Sequence, residues 1–223
     1  MPLQRLADGV RRNNRIRAVA PIPGARVTPS GDPVVIFDSG GYVGYYGYAT
    51  PSQLNFAGML FDITAKGVLL YSVTVVGDVD GSGEAAILLG TSYYSTGFTN
   101  TNLWLLLPAA GAWAAAAAGQ AMPTPTLVNM GQTLGSAAML GYAAAAVGDG
   151  DGDGVPDVVV GAPYCSLDSA NLRCGSATMV DSGVLVYLRL ACGGLAAPRI
   201  LTVTAGTSRQ IGTAIAAVWG GGW

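Results

Sequence analysis

Short apolar runs separated by glycine- and proline-rich turns dominate the hydrophobic pattern of the chain. Residues 34–37 (V-V-I-F) precede a turn at 38–41 (D-S-G-G), a Gly/Tyr segment follows at 42–48, and residues 59–64 (M-L-F-D-I-T) continue the pattern. Runs of β-branched and aromatic residues bounded by such turns are typical of strands. Because 51% of the residues are hydrophobic and the chain contains 33 Gly and 12 Pro, the pattern predicts an all-β protein.

One loop concentrates the acidic residues. Residues 148–163 read G-D-G-D-G-D-G-V-P-D-V-V-V-G-A-P, and carboxylates so close together repel one another unless a proton or a cation neutralises part of the charge. Calcium takes oxygen ligands, which alternate positions of a glycine-rich loop can supply. The sequence therefore predicts a calcium ion held by the carboxylates of Asp149, Asp151, Asp153 and Asp157 and by the carbonyl of Val155. An acidic, solvated turn without an ion is the alternative.

The surroundings of this loop favour strands. An EF-hand places a bidentate Glu at position 12 of its calcium loop, where this chain has Val160. The β-branched run 158–160 ends at Gly-Ala-Pro, which is typical of a short buried strand, whereas the apolar segment 140–147 fits either a helix or a strand. We therefore expect the loop to join two strands.

The chain repeats itself at a constant interval. Residues 69–78 align without gaps on 140–149, and a second step of the same length reaches 211–218. Equal intervals are the signature of a repeat architecture, and a unit of this length suits the four short strands of a propeller blade. Third strands are expected at 102–107 and 184–188, and outer strands at 126–129 and 200–204.

These units define the predicted organisation: an all-β, β-propeller fragment of four-stranded antiparallel blades, with about two to three blades and an incomplete ring. The remaining blades of the same propeller are expected as partners. The predicted segments are a basic, poorly ordered N-terminal segment at 1–28, a partial blade at 29–68, units at 69–139 and 140–210, and the start of a truncated blade at 211–223.

The earlier repeat carries a weaker version of the acidic loop. We call residues 78–86 the first loop and residues 149–157 the second loop. In the first loop, oxygen ligands remain at Asp78, Asp80, Ser82 and Glu84, but Ala86 stands where the second loop has Asp157. Because calcium affinity follows the charge and number of the ligands, the first loop is expected to bind calcium weakly or not at all.

The second repeat resembles a known family. Leu140-Gly141, an apolar segment, the D-x-D-x-D-G-x-x-D loop, a Val-rich strand and Gly161-Ala162-Pro163 are similar to the FG-GAP repeat of integrin α-subunit β-propellers, over about residues 140–190. The resemblance implies one blade of an extracellular propeller with calcium in its loop, and adhesion or binding of a protein or glycan ligand at the cell surface. Two departures are Leu140 in place of the family's Phe and Gly90-Thr91-Ser92 in place of Gly-Ala-Pro.

Charge and composition exclude several function classes. The chain contains no histidine, and neither a G-x-S-x-G elbow nor a P-loop occurs, so the common nucleophilic triads and nucleotide sites are not expected. Residues 27–223 hold five basic and twelve acidic residues, which argues against nucleic-acid binding. We therefore expect a protein that is not an enzyme.

Cysteines and termini bear on the cellular compartment. Cys165 and Cys174 bracket a polar loop and are expected to form a disulfide in an oxidising compartment, whereas Cys192 suggests a buried thiol or a partner elsewhere. The Arg-rich residues 1–28 lack the apolar core of a secretory signal, although the resemblance implies an extracellular location. Residues 103–118 are uncharged but too short and too interrupted for a membrane span, and they predict a strand followed by an Ala-rich loop.

Two other functions stay open. The same repeat occurs beside catalytic modules in secreted hydrolases, where it serves as an accessory domain. A structural array of calcium loops is the other alternative, although such arrays repeat at shorter intervals than the step from 69–78 to 140–149 found here.

Overall fold

The described part of the chain is mostly β. The computed structural model describes residues 19–26, 33–39, 43–49, 52, 54–63, 68–93, 101–118, 120, 123–129, 140–163, 167–168, 173–174, 184–188, 190–191, 194–195, 199–201 and 214–216. Most of these residues lie in strands, and the sheets are antiparallel. The all-β prediction is thus confirmed for these residues.

The first sheet contains four strands in the order β1-β2-β3-β4. The strands are β1 (Val19–Arg26), β2 (Pro33–Ser39), β3 (Val43–Ala49) and β4 (Leu54–Asp62). The sequence placed residues 19–26 in a poorly ordered basic segment and expected only a partial blade after it, but β1 completes a four-stranded sheet. The physical reason is the burial of Ile22, which is 3% exposed, while Pro21 and Pro23 are tolerated because β1 is an edge strand.

The second sheet contains β5 (Val68–Gly77), β6 (Ala86–Tyr93), β7 (Thr101–Leu107) and β8 (Thr126–Asn129), in that order. These are the strands that the sequence predicted for the first complete unit, and we call this sheet the first repeat unit. One prediction was wrong: the Ala-rich stretch after β7 forms a short helix, α1 (Ala112–Ala117). Alanine is the strongest helix former, and the helix buries Trp113 and Ala116 against the sheet.

The third sheet, the second repeat unit, has the strand order β16-β13-β10-β9. Its strands are β9 (Ala144–Gly148), β10 (Asp157–Ala162), β13 (Val184–Leu188) and β16 (Arg199–Leu201). Two small hairpins accompany it, one formed by β11 (Leu167–Asp168) and β12 (Arg173–Cys174) and one by β14 (Leu190–Ala191) and β15 (Gly194–Leu195).

The two repeat units agree in strand register. Val73 pairs with Leu89 between β5 and β6, and Ala144 pairs with Val160 between β9 and β10, so both partners are shifted by the step that relates 69–78 to 140–149. Both pairs of strands have a register shift at the equivalent place, after Val75 in the first unit and at Asp157–Val158 in the second, and β5 and β6 have a further shift between Leu70 and Ser72. The repeat found in the sequence is therefore also a repeat in strand pairing.

The first repeat unit lies between the other two sheets and is buried on both faces. On β6, Leu88 faces a core shared with Val158 and Val160 of the second repeat unit, whereas Ile87 and Leu89 face a core shared with the first sheet and α1. Side chains alternate between the faces of a strand, so a strand buried on both faces needs a continuous apolar run, as β6 has.

The first strands of the two repeat units lie side by side. The Ser72 hydroxyl donates to the Gly141 carbonyl at 2.7 Å, and the Thr74 hydroxyl donates to the Ala144 carbonyl at 3.1 Å. A side chain on Gly90 would overlap the Gly141 carbonyl. These contacts bring the two loops that follow β5 and β9 to the same edge of the stacked sheets.

Among the described residues, no helix has both the length and the apolar character needed to cross a bilayer.

Candidate metal centre

The second loop joins β9 to β10, as the sequence predicted. It folds around Asp149, whose Oδ1 accepts from the backbone N–H of Gly152 at 2.7 Å and whose Oδ2 accepts from that of Gly154 at 2.8 Å. These glycines have φ angles of 81° and 85°, a backbone conformation that costs free energy for most other residues. The glycines thus allow the backbone to wrap around the carboxylate at the first position.

Three carboxylates converge in this loop. One carboxylate oxygen from each of Asp149, Asp151 and Asp153 lies within 4.8 Å of the others, and all three residues are exposed. Carboxylate oxygens at this separation suit a hard cation such as calcium, which also keeps water ligands at an exposed site. The cluster therefore fits the predicted ion by its donor chemistry.

Backbone hydrogen bonds stabilise the ionised form of Asp149. The N–H of Gly154, followed by those of Gly152 and Asp153, holds the pKa of Asp149 below its ordinary value of 3.8, although burial acts in the opposite direction. A carboxylate that accepts several backbone hydrogen bonds is stabilised in its charged form. Asp149 is thus anionic at neutral pH without an ion beside it.

Asp157 has a different environment. The sequence predicted it as a fourth carboxylate ligand, but the structure places it outside the cluster and fully buried, with 0% exposure. Its Oδ2 accepts from the Gly150 N–H at 2.9 Å and from the Tyr187 hydroxyl, and its Oδ1 accepts from the Leu190 N–H at 3.2 Å. Asp157 therefore connects the second loop to β13 and β14.

Val155 takes part in the loop through its backbone and its side chain. Its N–H donates to Asp153 Oδ1 at 2.8 Å, and its side chain packs against the core between the repeat units. The role of its carbonyl as a calcium ligand stays a prediction.

The first loop has nearly the same backbone geometry. Asp78 accepts from the N–H groups of Gly81 and Gly83, both at 2.8 Å, and the φ angles of these glycines are 78° and 81°. Asp80 Oδ1 accepts from the Ser82 N–H at 3.1 Å. Because the same turn forms with fewer acidic residues, the turn itself does not require four carboxylates.

Glu84, the last predicted oxygen ligand of the first loop, is directed elsewhere. Its Oε1 accepts from the Gly111 N–H at 2.6 Å, next to the start of α1. Within the described part of the chain, the only group of three acidic, Cys or His residues with converging ligand atoms is the one in the second loop. The predicted ranking of the two loops is consistent with this arrangement.

The sequence predicted the difference between Ala86 and Asp157 but not the other residues that contact or replace this carboxylate. The equivalents of Gly150 and Asp157 in the first loop are Val79 and Ala86, and both belong to the apolar core. Strand pairing makes Leu105 of β7 the equivalent of Tyr187 of β13, so Pro108 stands in the place of Leu190. The segment between β10 and β13 is longer than the segment between β6 and β7. Leu105 and Tyr187 are therefore not separated by the constant interval of the repeat. The sequence comparison therefore missed Tyr187.

Several predictions concern residues that the structure does not describe. Cys165 and Cys192 lie outside the described residues, as does the side chain of Cys174, so the disulfide stays a prediction. Residues 1–18 and most of 211–223 also lie outside them.

No protein-family model matches the chain, and no curated protein matches it either.

Proposed function

We propose that the chain is a calcium-binding FG-GAP β-propeller segment of an integrin-α-like cell-surface protein, in which calcium has a structural role. The observation that carries the proposal is the position of the acidic loops. Each loop connects the first and second strands of a four-stranded antiparallel sheet, in the same register, and the two sheets are consecutive.

The packing of the sheets supports a propeller. Blades of a propeller are four-stranded antiparallel sheets arranged radially around a common channel. Here the strands of each sheet are adjacent in chain order apart from small hairpins, neighbouring sheets pack face to face, and the first strands β5 and β9 lie side by side. In sheets arranged around one axis, the first strands of neighbouring sheets lie next to each other, as β5 and β9 do.

The position of the second loop supports the proposed structural role of calcium. An ion bound by Asp149, Asp151 and Asp153 would neutralise carboxylates that repel one another and would hold the turn between β9 and β10. Since it would bind the folded loop and not the unfolded chain, it would stabilise the fold by mass action, by about 2.7 kcal/mol at a hundredfold excess over Kd.

The proposal of adhesion or ligand binding at the cell surface rests on the family resemblance alone. Propellers present recognition residues on loops at one rim, and the hairpin of β11 and β12 is the candidate loop here. The expected partner is an extracellular protein or a glycan. Among the described residues, the second loop supplies oxygen ligands but no nucleophile with an adjacent base, so no catalytic role is proposed.

A calcium titration followed by thermal unfolding tests the proposal. We expect calcium to raise the Tm of the chain by about 5–10 °C, since about 1 kcal/mol corresponds to 2–4 °C for a domain of this size. Asp151→Ala should remove most of this increase because it takes one of three converging carboxylates. Asp80→Ala, the matched change in the first loop, should leave the increase nearly intact.

Two results would contradict the proposal. If calcium does not change the Tm of the wild-type chain, the site does not bind calcium. If Asp151→Ala and Asp80→Ala reduce the calcium effect equally, the ranking of the two loops is wrong.

A further inference from the structure

Asp157 is a buried charged side chain adjacent to the candidate metal centre but separate from its three converging carboxylates. Burying a carboxylate costs free energy unless donors replace the lost water. Three donors do so here: the Gly150 N–H and the Tyr187 hydroxyl at Oδ2, and the Leu190 N–H at Oδ1. Two of these donors meet at the same oxygen, so Asp157 links Tyr187 directly to the backbone of the second loop.

The space around Gly150 is adapted to this link. A Cβ at Gly150 would overlap the Tyr187 hydroxyl and would lie 3.3 Å from Asp157 Oδ2. Any side chain at this position would therefore displace the tyrosine from the carboxylate. Gly150 also lies between Asp149 and Asp151, two of the three converging residues, so its placement determines where their carboxylates lie relative to each other.

In the first repeat unit, all the partners in this link are replaced together. Val79 replaces Gly150, Ala86 replaces Asp157, Leu105 replaces Tyr187, and Pro108, which has no N–H, replaces Leu190. Val79, Ala86 and Leu105 are buried in one apolar core. The hydrogen-bonded link thus accompanies the loop with three converging carboxylates and is absent from the loop without them.

We propose, on the basis of the calcium function proposed above, that Tyr187 is a positioning residue for the second loop. Its hydroxyl holds Asp157 in place, Asp157 holds the Gly150 N–H, and Gly150 fixes the separation of Asp149 and Asp151. Tyr187 contributes to calcium affinity through this chain of hydrogen bonds and does not contact the ion.

Tyr187→Phe tests the proposal because it removes the hydroxyl and keeps the ring. Calcium binding to the full chain is measured by titration calorimetry and by the luminescence of Tb³⁺ bound at the same site. Loss of a residue that orients metal ligands typically weakens binding by about tenfold or more, and we expect about a tenfold rise in the calcium Kd. The matched control is Tyr142→Phe, a half-buried tyrosine of the same unit whose ring lies 5.4 Å from that of Tyr71, which should leave Kd unchanged.

A second measurement separates positioning from general stability. In calcium-free buffer, Tyr187→Phe should accelerate amide hydrogen exchange at Gly150 while leaving the amides of Gly81 and Gly83 in the first loop unchanged. Uniformly faster exchange across both repeat units would show a purely structural role and would overturn the proposal.

The outcomes also distinguish this inference from the calcium function. If the wild-type chain binds calcium and Tyr187→Phe binds it equally well, only the positioning role of Tyr187 is wrong. If the wild-type chain binds no calcium, the proposed function fails and the positioning role fails with it.

Discussion

The first and second loops have nearly the same backbone geometry but differ at their second and ninth positions and in the side chain that the third strand of the sheet places next to them. In both, an aspartate at the first position accepts from the N–H groups of two equivalent glycines, at 2.8 Å and 2.8 Å in the first loop and at 2.7 Å and 2.8 Å in the second, where Asp149 also accepts from the Asp153 N–H at 3.1 Å. In the first repeat unit these residues are Val79, Ala86 and Leu105, and in the second they are Gly150, Asp157 and Tyr187.

This comparison separates two requirements of an acidic loop. The turn itself requires an aspartate at the start and glycines with positive φ, and both loops have these. A convergent set of carboxylates requires more, and only the second loop combines it with a buried hydrogen-bonded link to the neighbouring strands. The second loop therefore differs from the first in two ways: Asp153 stands in place of Ser82 and completes the set of converging carboxylates, and Asp157 forms the buried hydrogen-bonded link.

The largest effect is expected from exchanging the buried residues at the ninth position of the loops. Ala86→Asp places a carboxylate next to Val79 and Leu105, where neither side chain can donate a hydrogen bond, and should reduce the free energy of unfolding by about 3–5 kcal/mol. The reverse change, Asp157→Ala, leaves three donors without their acceptor and should cost about 1–3 kcal/mol. Urea unfolding measures both changes.

A control and a rescue sharpen this prediction. Ala114→Asp, on the exposed side of α1, should change the free energy of unfolding by less than about 0.5 kcal/mol. Adding both Leu105→Tyr and Val79→Gly to Ala86→Asp supplies a hydroxyl donor together with the space that it needs, and should recover part of the lost free energy. If Ala86→Asp is no more destabilising than Ala114→Asp, the surroundings of Ala86 are not the apolar core described here.

The contact between the two repeat units gives an intermediate effect. Gly90→Ala would drive a methyl group into the Gly141 carbonyl and within 2.6 Å of the Ser72 hydroxyl, and it should cost about 1–3 kcal/mol because the backbone must shift. Thr74→Val keeps the volume but removes the hydrogen bond to the Ala144 carbonyl, and should cost about 1 kcal/mol. An unchanged free energy of unfolding in Gly90→Ala would show that the two sheets are not packed this closely.

The smallest effect is expected on the pKa values of the loop carboxylates and on stability at acidic pH. The pKa of Asp80 is held below its ordinary value of 3.8 mainly by the Ser82 side chain, and the pKa of Asp149 mainly by the Gly154 N–H. Because these pKa values are lower in the folded state than in the unfolded state, the ionised carboxylates stabilise the fold. This contribution is fully present above the unfolded-state pKa and is lost as the pH falls below about 4. Ser82→Ala should therefore raise the pKa of Asp80 and leave that of Asp149 unchanged, as measured by NMR titration of the carboxyl carbons without calcium. Equal changes at both carboxyls would show that the loops are not independent.

Local chemistry made much of the fold predictable. The β-branched runs, the constant repeat interval and the D-x-D-x-D-G spacing predicted the strands of both repeat units and placed a loop between the first two of each. Residues close in sequence determine these features, since a turn depends on its own glycines and aspartates and a strand on its own alternation. Strand β1 was missed because the burial of Ile22, and not an alternating pattern, stabilises it. Helix α1 was missed because its Ala-rich sequence was interpreted as a loop, although alanine favours helices and Trp113 is buried.

The tertiary structure alone decided which aspartates converge and which one is buried. By spacing, Asp157 was one more ligand equivalent to Asp149, Asp151 and Asp153. Only the pairing of β10 with β13 brings Tyr187 to Asp157, although the two residues are far apart along the chain. A sequence states the spacing of acidic residues along a loop, but whether a given carboxylate faces an ion or a buried donor depends on side chains that other strands bring beside it.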